Sequence, residues 1–387
     1  MDSQKKIINL SIAGGGYYGF GELGVLKELE NYSQYLDIKN ISGVSVGSII
    51  AAFYAIGYNA DELVKILFDL NIDKLIKDTY FTNIHLYNKY GMHESKSLEE
   101  EIEKLISNKT NIKYCTFSQI KTNLTIIATN LNYQKPKFFN KENTPNVPLS
   151  KAIRCSIAFP YIMIPVLFEG DYYCDGGAYI NYPITVFGDD ELDQTIGITI
   201  SSHNENYDGT LHTRCEINDV YDFFVSVGQT MTRSAYCAQI TKKYLDRSII
   251  VKISEKISSM QFNLTEAQKK YMYNCGINST REQISKILGI TQIIENDLQT
   301  DLQTDLQNDL QNDLQNLLYP LKILEDNEIL QKQNNDTEKN INNTILNPNI
   351  SKFSEFKELP ELSELLGSSE SSELSSAIIC DFIIPTD

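Results

Sequence analysis

The sequence predicts an α/β fold with a mostly parallel central sheet, and three observations carry that expectation. Short Ile- and Val-rich runs alternate with helical patterns along the chain. Two of these runs pass through glycine-rich turns straight into helices, as a parallel βα unit requires. The 387 residues, 42% of them hydrophobic, are ample for a buried core.

Taken in order, Lys6 to Ala13 (KIINLSIA) reads as a buried strand that runs into Gly14-Gly15-Gly16-Tyr17-Tyr18-Gly19, followed by a helical pattern from Phe20 to Glu30. Ile38 to Ser42 reads as the next strand. It ends in Gly43-Val44-Ser45-Val46-Gly47 and opens an apolar helix from Gly47 to Ile56. A helix started by Asn59 is predicted to Ile76, and another over Leu98 to Ile106 behind a Ser97/Glu100 capping box. Leu124 to Thr129 is a strand. Pro165 to Cys174 reads as two short strands around the Glu169-Gly170-Asp171 turn, leading into Asp175-Gly176-Gly177 and then Asn181-Tyr182-Pro183. Beyond them come a parallel strand (Gln194 to Ile200), a long helix (Ile217 to Tyr244), an edge strand (Ser248 to Ile253) and helices over Thr265 to Cys275 and Thr280 to Leu288.

Two turns carry candidate chemistry. In a strand-to-helix turn the glycines of GxSxG let the backbone bend sharply, so the Ser45 hydroxyl stands at the amino end of a helix, where N–H groups favour a developing anion. The first turn, Gly14 to Gly19, fits both a dinucleotide fingerprint and an oxyanion hole. The dinucleotide reading needs an acidic residue at the end of the second strand, and Gly43 and Ser45 stand there instead. Three successive glycines expose backbone N–H donors to a tetrahedral intermediate, which favours the oxyanion reading. For a base, the chain offers four histidines, His85, His93, His203 and His212, none of them in a motif, or a carboxylate.

GGGxxG, GxSxG and DGG in that order, together with Arg154 to Pro160 (RCSIAFP), resemble the patatin-like phospholipase family. The resemblance runs from about Ile7 to about Pro183 and more faintly to about residue 290. It implies a three-layer α/β sandwich related to the α/β-hydrolases and a Ser-Asp dyad acting on acyl esters of lipids, without cofactor or metal. By that resemblance Ser45 is the nucleophile, Asp175 its proton acceptor, and Gly14, Gly15 and Gly16 the oxyanion donors. Gly19, Gly43, Gly47, Gly176 and Gly177 complete the motifs. Tyr18 departs from the family's usual Arg or Lys. The same residues would serve an acyltransferase working on lysolipids, and a non-catalytic lipid-binding protein would keep the fold.

The remaining features bound the class. Seven cysteines without a CxxC pair argue against a disulfide framework and a zinc site, and so for a reducing compartment. The opening run is expected as a core strand rather than a signal peptide, and no stretch reaches the roughly 18 apolar residues of a transmembrane helix. The expected location is therefore intracellular, cytoplasmic or peripheral to a membrane, with a lipid substrate, transient membrane-surface contact and no nucleic acid. Residues 295–387 hold 19 acids and 5 bases, a net of −14 out of −17, which leaves −3 for the rest. Three regions are expected: a catalytic domain over 1–290; a 291–320 segment of five tandem DLQ[TN] repeats, forming a coiled-coil-like helix or a linker; and an acidic Asn-, Ser- and Glu-rich tail over 321–387, largely disordered.

Overall fold

The computed structural model describes residues 6–290, except 71–73, 76–81, 203–213, 215, 254–256 and 262. The DLQ repeats, the acidic tail, His203 and His212 lie outside the described residues.

The main sheet has eight strands in the order β10-β9-β1-β2-β4-β8-β7, with β5 also paired to β4. β1 (Ile7–Ile12), β2 (Leu36–Val44), β4 (Asn123–Asn130), β9 (Thr195–Ser202) and β10 (Ser248–Ile253) run parallel. β5 (Lys135–Phe139), β7 (Val166–Phe168) and β8 (Asp171–Asp175) enter antiparallel. A separate two-stranded sheet joins β3 (Gly91–His93) to β6 (Tyr161–Met163).

The parallel strands are apolar on both sides because helices cover both faces. Leu10, Ile12, Ile41, Ile126 and Ile198 point into the main core. Their neighbours point the other way: Ala13 packs with Tyr182 and Ile184, and Val44 and Ile127 pack with Ile180. That alternation divides the molecule into the three layers expected. On the first face lie α1 (Gly19–Leu29), α2 (Val46–Ala55), α3 (Ala60–Asp69), α5 (Lys96–Thr110), α6 (Leu149–Ser156) and α9 (Glu266–Leu288). α4 (Thr82–Lys89) precedes β3. The second face is covered by the 3-10 turn Pro183–Phe187, by α7 (Val220–Gln239) and by the single turn α8 (Lys242–Leu245).

Helix boundaries follow their caps. Asn59 and Glu62 form the capping box that starts α3, each side chain accepting from the other's backbone N–H. α3 ends at Asp69, short of the expected Ile76. The Ser97/Glu100 box does not form: α5 begins two residues earlier than expected, after Ser95 in a left-handed conformation, and stops at a left-handed Asn111. The two late helices are one. Gly276 interrupts the apolar pattern in sequence, yet α9 runs through it because the backbone of Gly21 in α1 packs where a Cβ would stand. In the opposite sense the predicted helix 217–244 is shorter, starting at the Asp219 cap and breaking at an extended Ile240.

Candidate active site

Register brings two distant residues together. Val44, the last residue of β2, lies beside Ile127 of β4, and Ala128 of β4 lies beside Asp175, the last residue of β8. Two strands separated by one neighbour therefore end level. Just past β2 the chain turns through Ser45 into α2, and Ser45 takes a left-handed φ of 53°. A non-glycine residue in that region carries strain of order 1–3 kcal/mol and is held there by its surroundings. The flanking glycines make the turn possible: a Cβ on Gly47 would meet the carbonyl oxygen of Ile12 at 2.7 Å and that of Ala13 closer still. Gly43 faces the first turn of α2 in the same way.

The Ser45 Oγ–H donates to Asp175 Oδ2 at 2.6 Å. Oδ1 of the same carboxylate accepts the Gly177 N–H at 2.7 Å, so the Asp175-Gly176-Gly177 turn orients the carboxylate through its own backbone. Asp175 is 2% exposed, and burial pushes its carboxyl up from an ordinary 3.8 to about 6 against the opposing pull of the Ser45 and Gly177 hydrogen bonds. Among the described residues the hydrogen-bond partners of this carboxylate are Ser45 and Gly177, and no histidine is among them. His93 lies in β3 and His85 in α4.

The glycine loop after β1 lies against this pair. Gly14 is so close to Ser45 that its Cβ would stand 3.1 Å from that of the serine. Its N–H donates to Asn181 O at 2.9 Å, so that donor is engaged within the protein. Gly15 and Gly16 keep N–H groups for which no acceptor is found among the described residues. Tyr17 N–H donates to Ser259 O, and Tyr18 Oη donates to Ile257 O at 2.6 Å, so a phenol anchors the loop to the 257–259 segment where the family usually has a cation. Gly19 packs on Val46 of α2, and Gly176 packs on the Ile127 carbonyl.

Two contributions come from residues outside the GGGxxG, GxSxG and DGG motifs. Ser156 opens the Ser156 to Pro160 segment, whose expected role is to end a helix and aim Asp175 at Ser45, and its buried hydroxyl donates to Ile127 O at 2.6 Å and accepts the Ser45 N–H at 2.9 Å. Two residues on, Ala158 O accepts the Asp175 N–H at 2.8 Å. One short segment thus braces both members of the pair. Asn181, given no role in the sequence reading, supplies the carbonyl that fixes Gly14 and places its amide between Gly14 and Gly177. The cavity of about 320 Å³ beneath α1, lined by Leu10, Leu26, Leu29 and Tyr54 among others, shares no residue with this site.

A central parallel sheet whose β2 end presents a strained serine, with a buried carboxylate in hydrogen-bond contact and a glycine loop alongside, defines an α/β protein of the serine-hydrolase type in architecture. Residues 10–187 match the sequence model of the patatin-like phospholipase family. The chain belongs to that family. It is 58% identical over 287 residues to protein R571 of Acanthamoeba polyphaga mimivirus, covering 74% of this chain and 96% of that one. It is 30% identical over 191 residues to the probable lipid hydrolase 463L of Invertebrate iridescent virus 6, covering 46% of this chain and 62% of that one. Among solved structures, VipD from Legionella pneumophila has the same fold, with a TM-score of 0.50 at 15% identity over 73% of this chain and 67% of VipD. Among the described residues no helix is long and apolar enough to cross a membrane.

Proposed function

We propose that the protein is a lipid acyl hydrolase, a phospholipase A-type or lysophospholipase esterase, that works through a Ser45–Asp175 dyad and an acyl-enzyme. Ser45 Oγ attacks the ester carbonyl as its proton passes to Asp175 Oδ2, and the carbonyl oxygen becomes an oxyanion held by the Gly15 and Gly16 N–H groups. The intermediate collapses with cleavage of the ester C–O bond, and Asp175 returns the proton to the leaving alcohol. Water then attacks the acyl-enzyme, giving its proton to Asp175. Fatty acid leaves, and the proton goes back to Ser45 Oγ.

The observation that carries this reading is the 2.6 Å bond from Ser45 to a carboxylate whose other oxygen is already held by Gly177. One oxygen fixes orientation, and the other is left for the proton. A free carboxylate is a weak base, but burial raises this one to about 6, closer to the pH at which it would work. A serine-directed fluorophosphonate is expected to label the native chain and not the Ser45→Ala variant, and a mixed lipid extract treated with the native chain should release fatty acids that Asp175→Asn does not. Labelling that persists in Ser45→Ala, or identical product lists from native and Asp175→Asn chains, rejects the dyad.

A further inference from the structure

The outward face of α7 carries no charge. Its exposed positions are Val220, Phe223, Thr230, Met231, Ser234 and Ala238, which fall within an arc of about 100° on a helix of 3.6 residues per turn. The two charged side chains of the helix, Asp222 and Arg233, are half-buried on its flanks. By contrast α5, a surface helix of 15 residues, carries seven charges. Val220 and Phe223 are about half exposed, at 54% and 51%, a costly placement for a helix that faces only water.

A tyrosine continues this face. Tyr161 of β6, itself 38% exposed, stacks on Phe224 with ring centroids 4.7 Å apart. At the amino end the charges are engaged locally: Arg214 pairs with Glu216, and Asp219 caps the helix.

The underside of α7 grips the site from both sides. Thr232 packs against Gly177, and Gln239 Nε2 donates to Tyr179 O at 2.9 Å, both in the turn that follows Asp175. Gln229 Nε2 donates to Ser259 Oγ at 3.2 Å, and Ser259 O accepts the Tyr17 N–H from the glycine loop.

We propose that the outward face of α7, with Tyr161 at its rim, docks on the surface of a zwitterionic lipid bilayer and so holds the Ser45–Asp175 site, whose flanking turns the underside of α7 grips, close to its substrate. This rests on the lipid hydrolase reading above. An uncharged patch edged with tyrosine suits the boundary between headgroups and acyl chains, where amphipathic rings settle and Phe, Val and Met reach the hydrocarbon. The same lack of charge, on a body of net −3 over residues 1–294, gives no attraction to anionic lipid and matches a surface without net charge.

The chain contains no tryptophan, so Phe223→Trp in the full chain reports one position. With phosphatidylcholine vesicles its emission is expected to shift to shorter wavelength, independently of protein concentration and without gain from added phosphatidylserine. Tyr114→Trp, on the loop after α5, is expected to stay unshifted. Emission already short without vesicles at every dilution means that another part of this chain covers the face, and a shift on concentrating the protein alone means that a second copy does. Either result, or no shift on vesicles, overturns the proposal. The paired Val220→Asp and Phe223→Asp change is expected to lower the vesicle-bound fraction about tenfold or more. Labelling of Ser45 by a water-soluble fluorophosphonate reads the dyad separately, so a failure of docking and a failure of the hydrolase assignment give different results.

Discussion

Replacing Asp175 by asparagine is expected to stabilise the protein at neutral pH while abolishing turnover. The carboxyl titrates near 6 in the folded chain against 3.8 ordinarily, and the cause of the rise is burial. A raised carboxyl pKa means that the charged form is disfavoured in the folded state. The stability contribution is therefore fully present below about pH 4, and it is lost as pH rises through about 6. A shift of about two units corresponds to about 3 kcal/mol at pH 7. Asparagine is neutral and nearly isosteric, and its oxygen can still accept the Gly177 N–H that Oδ1 accepts at 2.7 Å. The stability of the Asp175→Asn variant minus that of the native chain should then be near zero at pH 4 and reach about 3 kcal/mol by pH 7. Urea unfolding of both chains from pH 4 to 8 measures it, since the other titrating groups cancel in the difference. A difference that stays flat with pH, or a native chain more stable than the variant at pH 7, would refute the burial argument.

Other perturbations test neighbouring parts of the same reasoning. The acid limb of kcat/KM should fall with an apparent pKa near 6, leaving about one-tenth of the plateau at pH 5; a limb near 4 would show that Asp175 is not the working base. Ser156→Ala removes the acceptor of the Ser45 N–H and the donor to Ile127 O, so it should cost about 1–3 kcal/mol in unfolding free energy and lower kcat more than KM. Equal kcat in the variant counts against the brace. Gly47→Ala drives a Cβ into the Ile12 and Ala13 carbonyls, and the variant should fail to yield soluble folded protein; a variant with native unfolding behaviour would show that α2 has room the structure does not record.

How far the fold was readable depended on the kind of signal each segment carried. Buried parallel strands such as Ile7–Ile12 and Ser248–Ile253 are dense in isoleucine, and their position follows from that alone. The antiparallel β5 was missed because its sequence, KPKFF, opens with lysine and proline and looks like a loop; it is held by pairing to β4 at the sheet's far side. The three-residue strands β3 and β6 are too short to show a period, and they exist only because they find each other, Gly91 beside Tyr161. Within the site, Ser45 and the glycines announced themselves by spacing. The acid did not: 130 residues separate Ser45 from Asp175, and only the register of β2, β4 and β8 makes them neighbours.

The same register explains why the brace had to come from elsewhere in the chain. Ser45 is held at a strained φ of 53°, and Asp175 keeps a carboxylate where charge is disfavoured, so the free energy that holds both in place must come from groups outside the two turns. β4 lies between them and offers the Ile127 carbonyl, and linking that acceptor to the Ser45 N–H through one group takes an atom that accepts from the one and donates to the other. A hydroxyl can do both. Ser156 stands at the end of α6 with its oxygen between Ile127 O and the Ser45 N–H, while the chain, two residues further on, takes the Asp175 N–H at Ala158 O. Serine is the residue type that fits this point, since alanine lacks the hydroxyl and a larger side chain would press on Ile127. The local rule broken at Ser45 is thus compensated 111 residues away, by a side chain that makes no hydrogen bond to the carboxylate.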